Sequence, residues 1–334
     1  MSERPAFVRT VLGDVAPAAL GMTLGHEHLL ANPPAFVTDV DLQLTDEHAA
    51  LRELSLFRRA GGGAVVEMTT VDYGRDTDAL GRLSRASKVH LIAATGFNQG
   101  KFADGIVAQH SDEQLVEWLV AEVMVGTIPY ERPEYLQSRS GSLLSGGTAG
   151  TRPRAGLIKA SSGPGGPSAG ERRGLGAAAE AHRRTGAPIG THTEKAAWGL
   201  EQAQLFIDAG VPANKVLIGH QDFRPELDYL LEVASTGVNL GFDQFSKQKY
   251  LSDHRRVELV SGLAAAGHLQ QIILSGDLAR RSYWPSYGHS ARTGFAHISS
   301  QIRPMLLAAG LSAAEVIQLL ERNPQRWLEF APAS

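Results

Sequence analysis

The sequence predicts an α/β protein built as one (β/α)8 barrel. Three observations carry that expectation. Eight short apolar runs alternate with longer amphipathic stretches, the pattern of repeated βα units. The 334 residues fit a single closed barrel as one domain spanning 1–334. Polar residues of similar chemistry recur at the carboxyl ends of the apolar runs, the face on which barrels carry their active sites.

The predicted strands are 21–26, 63–69, 89–95, 155–160, 187–192, 215–220, 237–242 and 271–277. Several follow a helical pattern that stops at glycine. Leu51 to Ala60 runs into Gly61, Gln202 to Ala209 into Gly210, and Val257 to Ala266 into Gly267. Each reads as helix, glycine stop, next strand. An open doubly wound sheet is the alternative, but it needs a glycine-rich nucleotide turn after the first strand. Gly25-His26-Glu27-His28 is not such a turn. Residues 126–154 lack a clear period and read as an inserted loop. Residues 161–170, rich in glycine and proline, read as either a mobile lid or a solvent loop.

Composition narrows the function. Lys+Arg 32 against Asp+Glu 35 gives a net charge of −3, so no excess of positive charge is present to hold a nucleic acid. With no cysteine, thiol nucleophiles, iron–sulfur clusters and thiolate zinc sites are excluded. Any metal must be held by His, Asp, Glu or a modified side chain. No apolar run reaches the ~18 residues of a membrane span and no secretory pattern opens the chain, so a cytoplasmic protein is expected.

Thr23-Leu24-Gly25-His26-Glu27-His28 places two imidazoles at i and i+2, which face the same way in an extended segment. Two converging imidazoles suit a borderline metal ion. Alone, such a pair is more often two polar loop residues. His192, His220 and Asp277 improve the case, because each ends an apolar run: Ile189-Gly190-Thr191-His192, Ile218-Gly219-His220 and Ser275-Gly276-Asp277. Lys159 ends Gly156-Leu157-Ile158-Lys159. A lysine at a barrel mouth is costly if charged and unpaired. Near bound cations its pKa falls, and a neutral amine can add carbon dioxide. On this residue alone, a lysine paired with a carboxylate or a substrate phosphate is the simpler reading.

Taken in order, these segments resemble the phosphotriesterase-like branch of the amidohydrolase superfamily, together with Asp72-Tyr73-Gly74-Arg75-Asp76 and Ala94-Thr95-Gly96. The resemblance runs from about residue 10 to 328. It implies a metal-dependent hydrolase with two divalent ions, zinc being the common choice. His26, His28 and Asp277 would hold one ion, and His192 and His220 the other. Lys159 as its carbamate, with a hydroxide, would bridge them, and Asp277 would also act as general base. It further implies a small-molecule substrate and a homodimer.

Arg280 and Tyr283 follow Asp277 closely, and Lys247 and Lys249 lie in the loop after the seventh predicted strand. Arginine, lysine and a phenol make a good phosphate or carboxylate clamp. The spacing resembles the subgroup that opens phosphorylated sugar lactones, with Lys247 favoured over Lys249 by its place in Asp-Gln-Phe-Ser-Lys. Asn98 stands where lactonases of the quorum-signal type carry a tyrosine, which weakens the case for a long acyl-homoserine lactone. The competing expectations are a lactonase or phosphotriesterase of uncharged esters, and a barrel that binds a ligand without turnover.

Overall fold

The computed structural model describes residues 5–128, 152–290 and 292–332. Most of the predicted insertion at 126–154 therefore lies outside the described residues. A short antiparallel hairpin, β1 (Val8–Thr10) and β2 (Gly13–Val15), precedes the barrel. Eight parallel strands follow: β3 (Met22–Glu27), β4 (Gly62–Glu67), β5 (His90–Gly96), β6 (Leu157–Ser162), β7 (Ile189–Thr193), β8 (Val216–Ile218), β9 (Asn239–Phe242) and β10 (Ile272–Leu274). They pair in sequence order, each with the next. All eight predicted strands are present.

The ends are less regular than the sequence pattern suggests. β6 runs three residues past Lys159, whereas β8 stops before His220 and β10 before Asp277. His220 (φ 62) and Asp277 (φ 44) take up left-handed backbone instead. That conformation is uncommon for residues other than glycine, although His and Asp tolerate it better than most. Both side chains meet the other strand-end residues, His220 beside His192 and Asp277 beside His26 and His28.

The helices wrap the outside: α1 (Glu47–Arg59), α2 (Thr77–Ser87), α3 (Gly100–Ala108), α4 (Asp112–Met124), α5 (Ala169–Thr185), α6 (Gly199–Asp208), α7 (Leu227–Ser235) and α8 (Asp253–Ala265). Three short helices, α9 (Arg303–Ala308), α10 (Ala313–Ile317) and α11 (Asn323–Leu328), complete the chain. Their starts are legible locally. Asp46, Asp76, Ser111, Ser168 and Ser252 each accept hydrogen bonds from first-turn amides. Ser168 with Glu171 forms a reciprocal capping box, and Glu171 also accepts from Gly163 N and Gly100 N. The 161–170 stretch is thus the end of β6 and a short turn pinned by one carboxylate, and it favours neither a long lid nor a free loop.

Below the mouth the barrel is filled with apolar side chains: Val66, Met68, Ile92, Ala94, Leu157, Leu217, Ile273 and, from α11, Trp327. Two glycines make room. A Cβ on Gly25 would lie 2.2 Å from Ile273 Cγ2, and one on Gly190 would lie 2.6 Å from Met68 Cε. A larger core cluster packs the helices against the sheet. No helix among the described residues is long and apolar enough to cross a membrane.

Candidate active site

Above the apolar plug the strand ends turn polar. His26 and His28 come from the end of β3, Lys159 from β6, His192 from β7, His220 from the turn after β8, and Asp277 from the turn after β10. The fold brings all six to one place. The ring centroids of His26 and His28 are 5.8 Å apart, those of His26 and His220 4.8 Å, and those of His192 and His220 4.7 Å. Asp277 Oδ1 lies 3.5 Å from His28 Nε2 and 3.9 Å from His26 Nε2. His192 Nδ1 lies 2.9 Å from His220 Nε2. Lys159 Nζ donates to the Met68 carbonyl at 2.9 Å, directly above the plug.

Several partners in this network were not assigned a role from sequence. Asp243, next after β9, accepts from His220 Nδ1 at 2.7 Å and from the His220 amide at 3.1 Å. Its Oδ2 also lies 3.1 Å from His26 Nδ1. Thr69 Oγ1 meets His28 Nδ1 at 2.8 Å. Gln244 donates to Asp277 Oδ2 at 3.0 Å and accepts from Lys247. Asp243 obeys the rule that found His192 and His220, a polar residue directly after an apolar strand, and that signal could have identified it. Thr69, the last residue of the predicted strand 63–69, obeys it too, whereas Gln244 carries no such signal.

Burial sets the protonation states. It lowers His26, and lowers His28 well below the usual histidine value with help from the Lys159 charge. It also lowers His192, to about 4. These imidazoles are neutral and can donate a lone pair. His220 is the exception. Burial opposes its charge, but the Asp243 carboxylate overcomes that and raises it. Lys159 is lowered by burial, against the pull of Asp277 and Asp72. Asp277 is held well below the carboxylate range: burial opposes this, and the positive charges of Lys247 and His220 outweigh it. Burial pushes Glu27 up to about 8 and Glu67 up to about 7.

The three residues expected to bind substrate lie at the same mouth. Lys247 is only 6% exposed, and its Nζ is 2.7 Å from Asp277 Oδ2. It also sits 5.5 Å from the Tyr283 ring centre. Lys249 is exposed and lies 5.8 Å from the same ring. Of the two lysines, Lys247 is the one that faces the site. Arg280 reaches across to the loop after β3, where it pairs with Asp39 at 2.7 Å and Asp41 at 3.3 Å. Asn98 is tied to the loop after β4 and to its own: its amide donates to Asp72, and its side chain accepts from Gln99 N.

The donor set suits divalent cations. One ligand atom each from His26, His28 and Asp277 lies within 4.8 Å of the others, and the same holds for His26, His220 and Asp243. His26 Nδ1 and His192 Nε2 are buried and make no well-aligned hydrogen bond, their nearest acceptors being Asp243 Oδ2 at 3.1 Å and Glu194 Oε2 at 3.4 Å. Two nitrogens 2.0–2.1 Å from one tetrahedral ion stand about 3.3 Å apart, close to the His192–His220 spacing. In the second group we read Asp243 as a partner that orients His220, since it already engages the imidazole nitrogen remote from the cluster.

Eight parallel strands, an outer ring of helices and a histidine–aspartate cluster at the strand ends define a (β/α)8 barrel whose mouth could hold a divalent cation. Known proteins agree. A model of the phosphotriesterase family matches residues 6–130 and 141–328. The phospho-furanose lactonase of Mycoplasmopsis synoviae is 31% identical over 335 residues, covering 97% of this chain and 92% of that protein. The phosphotriesterase homology protein of Escherichia coli is 30% identical over 310 residues, covering 92% and 98%. Its crystal structure, complexed with phosphate in the active site, superposes with a TM-score of 0.81. A lactonase from Listeria monocytogenes superposes with a TM-score of 0.85 at 28% identity, covering 97% of this chain and 99% of that one. The chain belongs to the phosphotriesterase family and is a hydrolase acting on ester bonds. The expectation of a barrel without turnover is set aside on that ground.

Proposed function

We propose that this hydrolase is a metal-dependent lactonase that opens phosphorylated sugar lactones. The observation that carries the reading is the meeting of two groups at one barrel mouth. His26, His28, Lys159, His192, His220 and Asp277 converge there, and Lys247, Tyr283 and Arg280 lie on the adjoining loops. The lactonases among its relatives support it. His26, His28 and Asp277 would hold one divalent ion and His192 and His220 a second. Lys159, as its carbamate, would lie between them, and zinc is the ion we favour. Such ions, when bound, supply Lewis acidity and activate water at neutral pH.

The chain's own residues divide the remaining work. Asp277 Oδ1 faces His26 and His28, whereas Oδ2 faces Lys247 and Gln244. In this reading one oxygen would bind an ion and the other would receive the proton of the attacking water. Burial favours the neutral Lys159 amine that carbamate formation requires. Lys247 and Tyr283 would meet the substrate phosphate, with Arg280 behind them. We place the enzyme in the cytoplasm as a homodimer.

Two measurements test this reading. Metal-loaded protein should turn over a phosphorylated lactone in preference to its unphosphorylated counterpart. Arg280→Met should lower kcat/KM for the phosphorylated substrate by at least ~30-fold, the effect of losing about 2 kcal/mol of charge-assisted contact. The other substrate should barely change. An unchanged ratio refutes the clamp. One observation favours the second reading, hydrolysis of uncharged esters: Arg280 already satisfies its charge on Asp39 and Asp41. Separately, Lys159→Ala should lose metal and activity, with partial rescue by a small carboxylic acid. Normal metal content in that variant would remove the carbamate assignment.

A further inference from the structure

We propose that Glu27 is a positioning residue that fixes Asp277 against His26 and His28. The proposal rests on the reading of Asp277 as a ligand and proton acceptor. It starts from the seam of the barrel. Among the described residues, β3 and β10 share no strand ladder. The gap is spanned by one backbone bond, Asp277 N to the His26 carbonyl at 3.1 Å, and by Ser275 and Glu27. The Ser275 hydroxyl accepts from His26 N at 3.0 Å and lies 2.7 Å from Glu27 Oε1.

The Glu27 carboxyl group is almost fully buried, and both its oxygens accept. Oε1 takes the Gly276 amide at 2.7 Å, and Oε2 takes the Leu278 amide at 2.8 Å. These are the two amides that flank Asp277, whose φ of +44 is uncommon for a residue with a side chain. One carboxyl group thus clamps the backbone on each side of the strained residue. Space confirms the tightness of the turn: a Cβ on Gly276 would sit 2.8 Å from Leu278 Cγ and 3.3 Å from Glu27 Oε1.

Glu27 also stands between His26 and His28 in the chain. The segment that presents the two imidazoles therefore presents the acceptor that sets Asp277. The two sides of the His26–His28–Asp277 group cannot shift independently while Glu27 holds both amides. Glu67, its register partner on β4, serves a different turn, accepting from Leu29 N and Thr69 N. It cannot substitute.

The test uses Glu27→Gln, with Asp277→Asn as control. A carboxamide keeps the volume but turns an N–H donor toward one of the two backbone amides. We expect kcat on a lactone substrate to fall about 100-fold, the scale of a 1 Å misplacement, with KM within about two-fold of wild type. Co²⁺ added to metal-free protein should give a visible spectrum different from wild type. A purely structural role would lower Tm but leave the cobalt spectrum and kcat unchanged well below the midpoint, and that result overturns the proposal. Should Glu27→Gln fail to fold, Ser275→Ala removes one donor and keeps the carboxylate. It should show the same two changes with a loss of up to about ten-fold, and no change in either refutes the proposal. If Asp277→Asn itself keeps the wild-type cobalt spectrum and turnover, the underlying reading of Asp277 has failed instead.

Discussion

The barrel interior has two layers a few residues apart, and they are built on opposite principles. The lower layer, from Val66 and Ile92 to Ile273 and Trp327, is apolar and closely packed, with glycines where two side chains would collide. The upper layer is a ring of buried or nearly buried acids: Glu27, Glu67, Asp72, Asp222, Asp243 and Asp277. Most of these carboxylates accept backbone amides of neighbouring loops. Glu67 takes Leu29 N and Thr69 N, Asp72 takes Asn98 N, and Asp222 takes Asp243 N and Gln244 N. Parallel ladders end where the strands splay, and the acids supply the missing acceptors. The lower layer stabilises the fold; the upper layer shapes the loops and gathers acidic side chains where cations would sit. Met68 marks the boundary: its side chain packs in the plug, and its carbonyl accepts from Lys159.

If the division is correct, substitutions in the two layers should separate stability from turnover. The largest expected effect is on turnover. Asp277→Asn should lower kcat by about 10²–10⁴-fold and weaken metal binding, with little change in the melting temperature of the metal-free protein. Full turnover in that variant would break the comparison from above. Trp327→Ala attacks the plug. It should cost about 3–5 kcal/mol of unfolding free energy by denaturant titration, while kcat stays near wild type well below the transition. A large loss of kcat there would show that the layers are not separable.

Smaller changes sharpen the boundary. Thr69→Val removes the partner of His28 Nδ1. It should weaken metal affinity or activity by about 10–100-fold at nearly constant stability, as expected for an outer hydrogen bond to a ligand. The smallest effect should come from outside both layers. His182 on α5 is buried and donates to the Ala187 carbonyl; burial lowers its pKa below the usual 6.5. The unfolded chain then takes up the proton first as pH falls. Stability from this group is complete above pH 6.5 and declines below it. The difference in unfolding free energy between wild type and His182→Gln should narrow from pH 7.5 to 5.5. A difference that widens would contradict the assignment.

The strand count, the barrel and the convergence of six polar residues at its mouth were legible because each rests on a local signal. An apolar run followed by His192 or His220 announces both the strand and the face it ends on, and the paired His26 and His28 do the same for β3. What the sequence alone could not determine is who answers whom across the mouth. Lys247 meets Asp277 across 30 positions, Arg280 meets Asp39 across 241, and Leu278 meets Glu27 across 251. A carboxylate reads the same in sequence whether it binds a cation, an amide or nothing. Only closure of the barrel, which brings β3 beside β10 and the loop after β9 beside the turn after β10, decides which donors reach it. That is why Lys247 could be named without its ion pair and Arg280 without its two aspartates. Glu27 could be quoted within a motif while its hold on Asp277 stayed hidden until the seam was seen.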